Sequence, residues 1–190
     1  MNSEKRKAML AEQFESMYGA PPILWSRAPG RVDLMGSHTD YNMGYVMTMT
    51  TDMDTWIAAR PRADRQVCVR SLNVDGESLF SLDNIDHDAG TPWSDYVRGM
   101  AYVLQEAGYP LQGFDGLIHS TVPFGSGLSS SAALEMATGV TFQQVSGFEL
   151  DPVEMALFGQ KAENEFVGVN TGILDQYSSA MGQEAVSYTH

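Results

Sequence analysis

The sequence predicts an α+β fold rather than a regular doubly wound sheet. Extended segments crowd its first half, and the second half holds one strand followed by a run of helices. Of the 190 residues, 43% are hydrophobic, enough to build a core and to exclude a disordered chain. No internal repeat or low-complexity tract competes with that reading, and the length predicts one domain or one and a fraction.

The elements follow in order. Ser3 to Tyr18 reads as a helix because Leu10, Phe14 and Met17 recur at helical spacing; Gly19 and Pro21-Pro22 stop it. Ile23 to Arg27 reads as a short strand broken at Pro29-Gly30, with Val32 to Met35 extended beyond the break. Tyr45 to Thr51 and Thr55 to Arg60 are rich in β-branched and aromatic residues and read as two strands. Gln66 to Val74 and Ser78 to Leu82 flank Asp75-Gly76, a tight-hairpin signal in which both turn positions favour positive φ. Trp93 to Ala107 is an amphipathic helix ended by Gly108 and Pro110, and Phe114 to Ser120 is a strand. Leu128 to Val145 reads as a helix. Asp151-Pro152-Val153-Glu154 is a capping box opening a helix to about Phe166, and a last short helix spans Ile173 to Met181.

A net charge of −13 argues against nucleic acid or an anionic membrane as partner. One cysteine, Cys68, excludes an intrachain disulfide and points to a reducing compartment. The N-terminus lacks the apolar core of a secretory signal. The nearly uncharged stretch Gly116 to Phe148 is too rich in Ser, Gly and Thr for a membrane span. A soluble, cytoplasmic protein is the expectation.

Three segments carry chemistry. In Pro123 to Ala133, Gly125 and Gly127 allow unusual φ and close approach of a ligand, and Ser129, Ser130 and Ser131 open a helix whose free N–H groups converge on one spot. That makes an anion site suited to phosphate. It is not a Walker A loop, since neither Lys nor Arg occurs from Asp115 to Gln160, so backbone amides and a metal ion would offset the phosphate charge. A flexible turn before an ordinary helix would give the same composition. In Pro29 to Asn42, Arg31 could contact a phosphate or carboxylate, and Ser37, His38 and Asp40 could hydrogen-bond a polyol; a solvated loop is the alternative. In Ala162 to Gln176, Glu163 and Asp175 form a carboxylate pair from two elements that could divide metal ligation from alcohol activation, or be two surface acids.

Together these segments resemble the GHMP family of small-molecule kinases and, within it, the galactokinases. Residues 30–42 follow that family's Gly-Arg-Val-Asn-Leu-Ile-Gly-Glu-His-Thr-Asp-Tyr-Asn signature, and residues 123–132 its Pro-x-Gly-x-Gly-Leu-Ser-Ser-Ser-Ala. Residues 162–176 follow its Ala-Glu-His-x-Phe-x-Gly-x-x-x-Gly-Ile-Met-Asp-Gln, with Asn164 and Leu174 as departures; Trp93 to Gly99 resembles its Trp-x-x-Tyr-Val-x-Gly helix.

The resemblance implies an N-terminal domain of ribosomal protein S5 domain 2-like fold over residues 1–190, a mixed sheet with helices packed on one side. The sugar-binding signature would cover 20–70 and the ATP-binding motif 120–135. The C-terminal domain of the longer family members is absent, so these residues alone are expected to be inactive. The implied reaction is ATP-dependent phosphorylation of galactose at the anomeric hydroxyl. Gly125, Ser126, Gly127, Leu128, Ser129, Ser130 and Ser131 would hold ATP, with Ser131 and Glu163 around Mg²⁺. Asp175 would sit by the anomeric hydroxyl, and Arg31 beside Asp175 and the γ-phosphate. Ser37, His38, Thr39, Asp40 and Gly172 would line the sugar pocket. Asp33 stands where the family has Asn, and Ser37 where it has a Glu that reads the sugar near C6. A shorter, neutral Ser37 implies a less demanding pocket, so a C6-altered hexose, N-acetylgalactosamine or a pentose is the alternative substrate. A non-catalytic sugar- and ATP-binding sensor is the alternative class, disfavoured by the intact Ser129 to Ala132. No oligomeric state is implied.

Overall fold

The computed structural model describes residues 2–36, 44–182 and 187–189. Ser37, His38, Thr39 and Asp40, assigned above to the sugar pocket, lie outside the described residues. Helix α1 (Ser3–Tyr18) has the expected bounds: Asn2 caps its start, accepting from the Lys5 N–H at 3.0 Å, and Gly19 closes it in the left-handed conformation. Strands β1 (Leu24–Met35), β2 (Met47–Pro61), β3 (Gln66–Ser71), β4 (Glu77–Ser81) and β5 (Phe114–Ser120) form a sheet in the order β1-β2-β5-β3-β4, with β6 (Ser187–Thr189) also paired to β2. Neighbours are antiparallel except for β3 and β5. Helices α2 (Asp95–Glu106), α3 (Ser130–Ser146), α4 (Pro152–Lys161) and α5 (Leu174–Met181) complete the α+β fold.

The helix layer expected on one side is built from α2, α3 and α4. Val97, Met100, Leu104, Phe142 and Met155 from these helices meet Ile57, Ala59, Phe114 and Ile118 of the sheet. Helix α1 lies on the opposite face, where Leu10 and Phe14 pack on Ala58 and Leu117. Alternation along β2 and β5 sends successive side chains to the two cores. No helix among the described residues is long and apolar enough to cross a membrane.

Four local readings are corrected. The segments read as separate strands around Pro29-Gly30 are one strand, β1, with a register shift between Pro29 and Arg31. Those read as Tyr45–Thr51 and Thr55–Arg60 are likewise one strand, β2. Its polar interruption at Asp54 is buried against Arg6 and Arg27 rather than exposed in a turn. The β3–β4 connection is not a two-residue turn: Arg70 pairs with Glu77, and Gly76 but not Asp75 has positive φ. The end of β3 is drawn instead toward β5, where Leu72 N–H bonds the Ile118 carbonyl at 2.8 Å and the Asn73 amide bonds both backbone groups of Ser120. The helix expected to reach Phe166 is α-helical only to Lys161 and continues as a π-helix, Ala162–Val167, closed by Gly168 in the left-handed conformation. Its capping box is half made: Asp151 accepts from the Val153 N–H at 2.9 Å, while Glu154 accepts from the Tyr109 hydroxyl.

On the α1 face, Arg6 Nε donates to His119 Nδ1 at 2.8 Å, which requires a neutral ring with its lone pair on Nδ1. Burial and the Arg6 charge hold His119 below its usual pKa, with Asp54 opposing them. The folded state therefore binds this proton less readily than the unfolded chain. Its stabilising contribution is complete above the ordinary histidine pKa of about 6.5 and is lost as pH falls below that. Thermal melts should show a drop in midpoint between pH 7.5 and 5.5 that His119→Asn, whose side-chain carbonyl can take over as acceptor, makes shallower. An equal drop in both proteins would remove His119 from the account.

Candidate active-site cleft

The bulge at Pro29-Gly30-Arg31 sets up the site. Pro29 has no N–H to give the ladder, and its carbonyl accepts from the Ser179 hydroxyl of α5 at 2.7 Å. The Arg31 N–H turns to the Leu128 carbonyl at 3.1 Å. Gly30 is required there, since a Cβ at that position would lie 2.6 Å from the Leu128 carbonyl oxygen. Ser26 bonds Thr141 of α3 at 2.6 Å and Thr48 bonds Ser178 of α5 at 2.7 Å, so both helices are pinned to β1 and β2 by short polar contacts.

The Arg31 guanidinium is then held by three groups. Nη1 donates to the Gly127 carbonyl at 2.7 Å, Nε donates to Asp175 Oδ1 at 3.0 Å, and Nη2 is paired with the same Asp175 oxygen. Nε also lies 2.9 Å from Asp33 Oδ1, so one cation is shared by two carboxylates. The second Asp175 oxygen accepts from the Ser129 hydroxyl at 2.5 Å. Ser129 is the one non-glycine described residue with positive φ, at 57°. Such strain persists only where surrounding contacts fix it, and it marks functional sites.

Because the Ser129 hydroxyl goes to Asp175, no side chain caps α3. The first N–H groups of that 17-residue helix and its positive dipole end are left for an anion. Gly125 and Gly127, at φ +67° and +75°, lead into it with open space where a Cβ would point. Arg31, Tyr96, Gly125, Gly127, Ser129, Ser130, Ser131 and Asp175 line one cleft of about 280 Å³. The structure thus brings together residues that the sequence reading selected 144 positions apart. Leu128 contributes its carbonyl, Ser126 bonds back to the Pro123 carbonyl at 2.8 Å, and Gly172 sits in the segment just before α5.

Glu163 stands apart from that lining. It is 4% exposed, on the π-helix, and its Oε2 accepts from the Thr171 hydroxyl at 2.8 Å and the Gln176 amide at 2.7 Å. The same amide bonds Oε2 of Glu135, which is fully buried. Burial, and after it the Glu163 charge, push the Glu135 carboxyl well above the usual carboxylate range. Burial and then Glu163 also raise Tyr96. No group of three or more His, Cys, Asp or Glu side chains converges on a metal position among the described residues.

Tyr96, Glu135 and Gln176 were not chosen from sequence. Glu135 did carry a signal, as the lone acid in an otherwise uncharged stretch, and Gln176 closes the third motif.

Residues 95–183 match the family model of the GHMP kinases N terminal domain, and residues 12–61 match the galactokinase galactose-binding signature. The chain is 51% identical over 170 residues to a galactokinase of Chloroflexus aggregans, covering 90% of this chain and 44% of that protein. It is 48% identical over 174 residues to a galactokinase of a Roseiflexus species, covering 92% and 44%. Among solved structures, Lactococcus lactis galactokinase complexed with galactose superposes with a TM-score of 0.87 at 39% identity, over 93% of this chain and 46% of that one. Methanococcus jannaschii mevalonate kinase, at 19% identity and a TM-score of 0.72 over 88% of this chain and 53% of that one, shares the fold. The chain spans less than half the length of the galactokinases it matches.

Proposed function

We propose that the chain is part of a GHMP kinase and that the whole protein transfers the γ-phosphoryl group of ATP to the anomeric hydroxyl of galactose, giving galactose 1-phosphate and ADP. The observation that carries this reading is the Arg31–Asp175–Ser129 cluster at the mouth of the glycine loop, beside the uncapped N-terminus of α3. The sugar is taken from the galactose-binding signature and from the galactose-complexed neighbour.

Phosphoryl transfer depends on positioning and charge stabilisation more than on covalent catalysis. Gly125 to Ser131 receive the phosphates through backbone N–H groups. Asp175 accepts the proton as the sugar oxygen bonds to the γ-phosphorus and the bond to the ADP oxygen breaks. Arg31, already on Asp175 and the Gly127 carbonyl, stands between base and phosphate and stabilises the charge that develops there. Ser37, His38, Thr39, Asp40 and Gly172 are assigned to the sugar.

Magnesium fits the chemistry of the donor set, which is all oxygen: the Ser131 hydroxyl and the Glu163 carboxylate would hold it. When bound, it supplies charge that neutralises the phosphate oxygens. Glu163 has both its hydrogen bonds on Oε2, so Oε1 is the atom available to the ion.

The test is a phosphoryl-transfer assay of the whole protein with galactose, a C6-modified galactose, N-acetylgalactosamine and a pentose. Galactose should be turned over with the highest kcat/KM. Equal or better turnover of another sugar would move the assignment to it, as Ser37 in place of the family's Glu would permit. ATP and sugar binding without transfer would make the protein a sensor.

A further inference from the structure

We propose that Gln176 is a positioning residue for Glu163 and that Glu135 is what fixes Gln176, one carboxamide clamped between two buried carboxyl groups. Both hydrogens of the Gln176 amide are committed, one to Glu135 Oε2 at 2.9 Å and one to Glu163 Oε2 at 2.7 Å. Flipping the amide would set its oxygen against the Glu163 carboxylate oxygen and take from Glu135 Oε2 the N–H it accepts, so the bond to Glu135 holds the orientation in which the nitrogen faces Glu163. Consistent with this, the Gln176 oxygen has no partner of its own. Glu135 and Gln176 are fully buried, so water cannot substitute for either.

The clamp is closely fitted. Gly159 of α4 lies against it, and a Cβ there would come within 2.9 Å of Gln176 Cγ and 3.4 Å of Glu135 Oε2. Gln176 follows Asp175 on α5, and successive helical residues point about 100° apart. One side chain therefore enters the cleft while the next reaches inward. The choice of an amide is chemically specific. Lys or Arg at this position would neutralise Glu163 and oppose a cation. An amide, together with the Thr171 hydroxyl, saturates Oε2 and orients the carboxylate while leaving its charge for an ion at Oε1.

This inference rests on the reading of Glu163 as a cation ligand, and the experiment separates the two. Mn²⁺ is titrated into the whole protein with a non-hydrolysable ATP analogue and followed by electron paramagnetic resonance, so that binding is read without turnover. Gln176→Met and Glu135→Leu should each weaken Mn²⁺ binding by roughly 10-fold or more, the range for groups that orient metal ligands. Glu135→Gln keeps an acceptor and the shape, and should stay near the parent. The Glu135→Leu/Gln176→Met double variant should be no weaker than Gln176→Met alone, because Glu135 acts through that amide. Sugar affinity should be unchanged throughout. If Glu163→Gln weakens Mn²⁺ binding but Gln176→Met does not, the clamp is refuted and the ligand reading stands. If Glu163→Gln has no effect, the ligand reading itself falls. Should Gln176→Met fail to fold, a loss of Mn²⁺ affinity in Glu135→Gln is sufficient to overturn the proposal.

Discussion

Asp175→Asn is expected to leave nucleotide binding intact while turnover falls by about 10²- to 10⁴-fold, the usual contribution of a positioned base. The variant keeps an oxygen that can accept from Arg31, and its NH2 can donate to the Ser129 hydroxyl oxygen once that hydroxyl rotates, so the cleft keeps its shape. It loses the ability to take the sugar's proton. The split matters more than the size: kcat should fall while the KM for ATP holds or drops, since a negative charge has been removed near the phosphates. Steady-state kinetics of the whole protein, with nucleotide affinity measured separately by calorimetry, check both halves. Full activity would take Asp175 out of the mechanism.

Asp54→Ala should be the most destabilising single change on the α1 face. The carboxylate takes Arg6 on one oxygen, and Arg27 together with the Trp56 indole N–H, at 3.1 Å, on the other. Arg6 is 5% exposed, so its charge stays buried when the carboxylate is removed. Removing one member of a buried pair costs about 3–5 kcal/mol, because the other charge stays buried without compensation. Against a total stability of about 5–15 kcal/mol that is a large fraction. The expected fall in melting temperature is roughly 10–15 °C at this chain length. Calorimetry checks it, and Asp54→Asn, which keeps the acceptors and loses the charge, should fall in between. A loss in Asp54→Ala no larger than that of an exposed acid such as Asp83→Ala would show that α1 docks through Leu10 and Phe14 alone.

Elements whose signals are local were legible in the sequence. Helix α1 and strand β5 have the bounds read for them from the sequence, and Gly19 with Pro21-Pro22 is a strong stop for α1. The continuity of β2 was not legible. Asp54 reads as a polar break until its partners Arg6, Arg27 and Thr121 arrive from other elements. The β3–β4 turn failed for the same reason: Asn73 follows β5, so a non-local contact overrides a favourable turn pair. In the site, Arg31, Asp175 and the glycine loop were visible because motif spacing marks them. The Glu135–Gln176 contact was not, since its two members lie 41 positions apart on separate helices and neither forms part of a recognisable pair. The π-helix was equally hidden: residues 162–167 have ordinary helical composition, and the wider turn is made by the Gly168 and Val169 N–H groups both closing on the Glu163 carbonyl.

The bulge at Gly30 also has a temporal meaning. Arg31 reaches Gly127 and Asp175 across 96 and 144 positions of chain, so closing these loops carries a large entropic cost until the sheet has assembled. During synthesis Arg31 emerges before Gly127 and Asp175, while Asp33, which lies 2.9 Å from its Nε in the folded chain, is two residues away in sequence. The full set of Arg31 contacts therefore forms only when α5 docks, late in the assembly of the cleft.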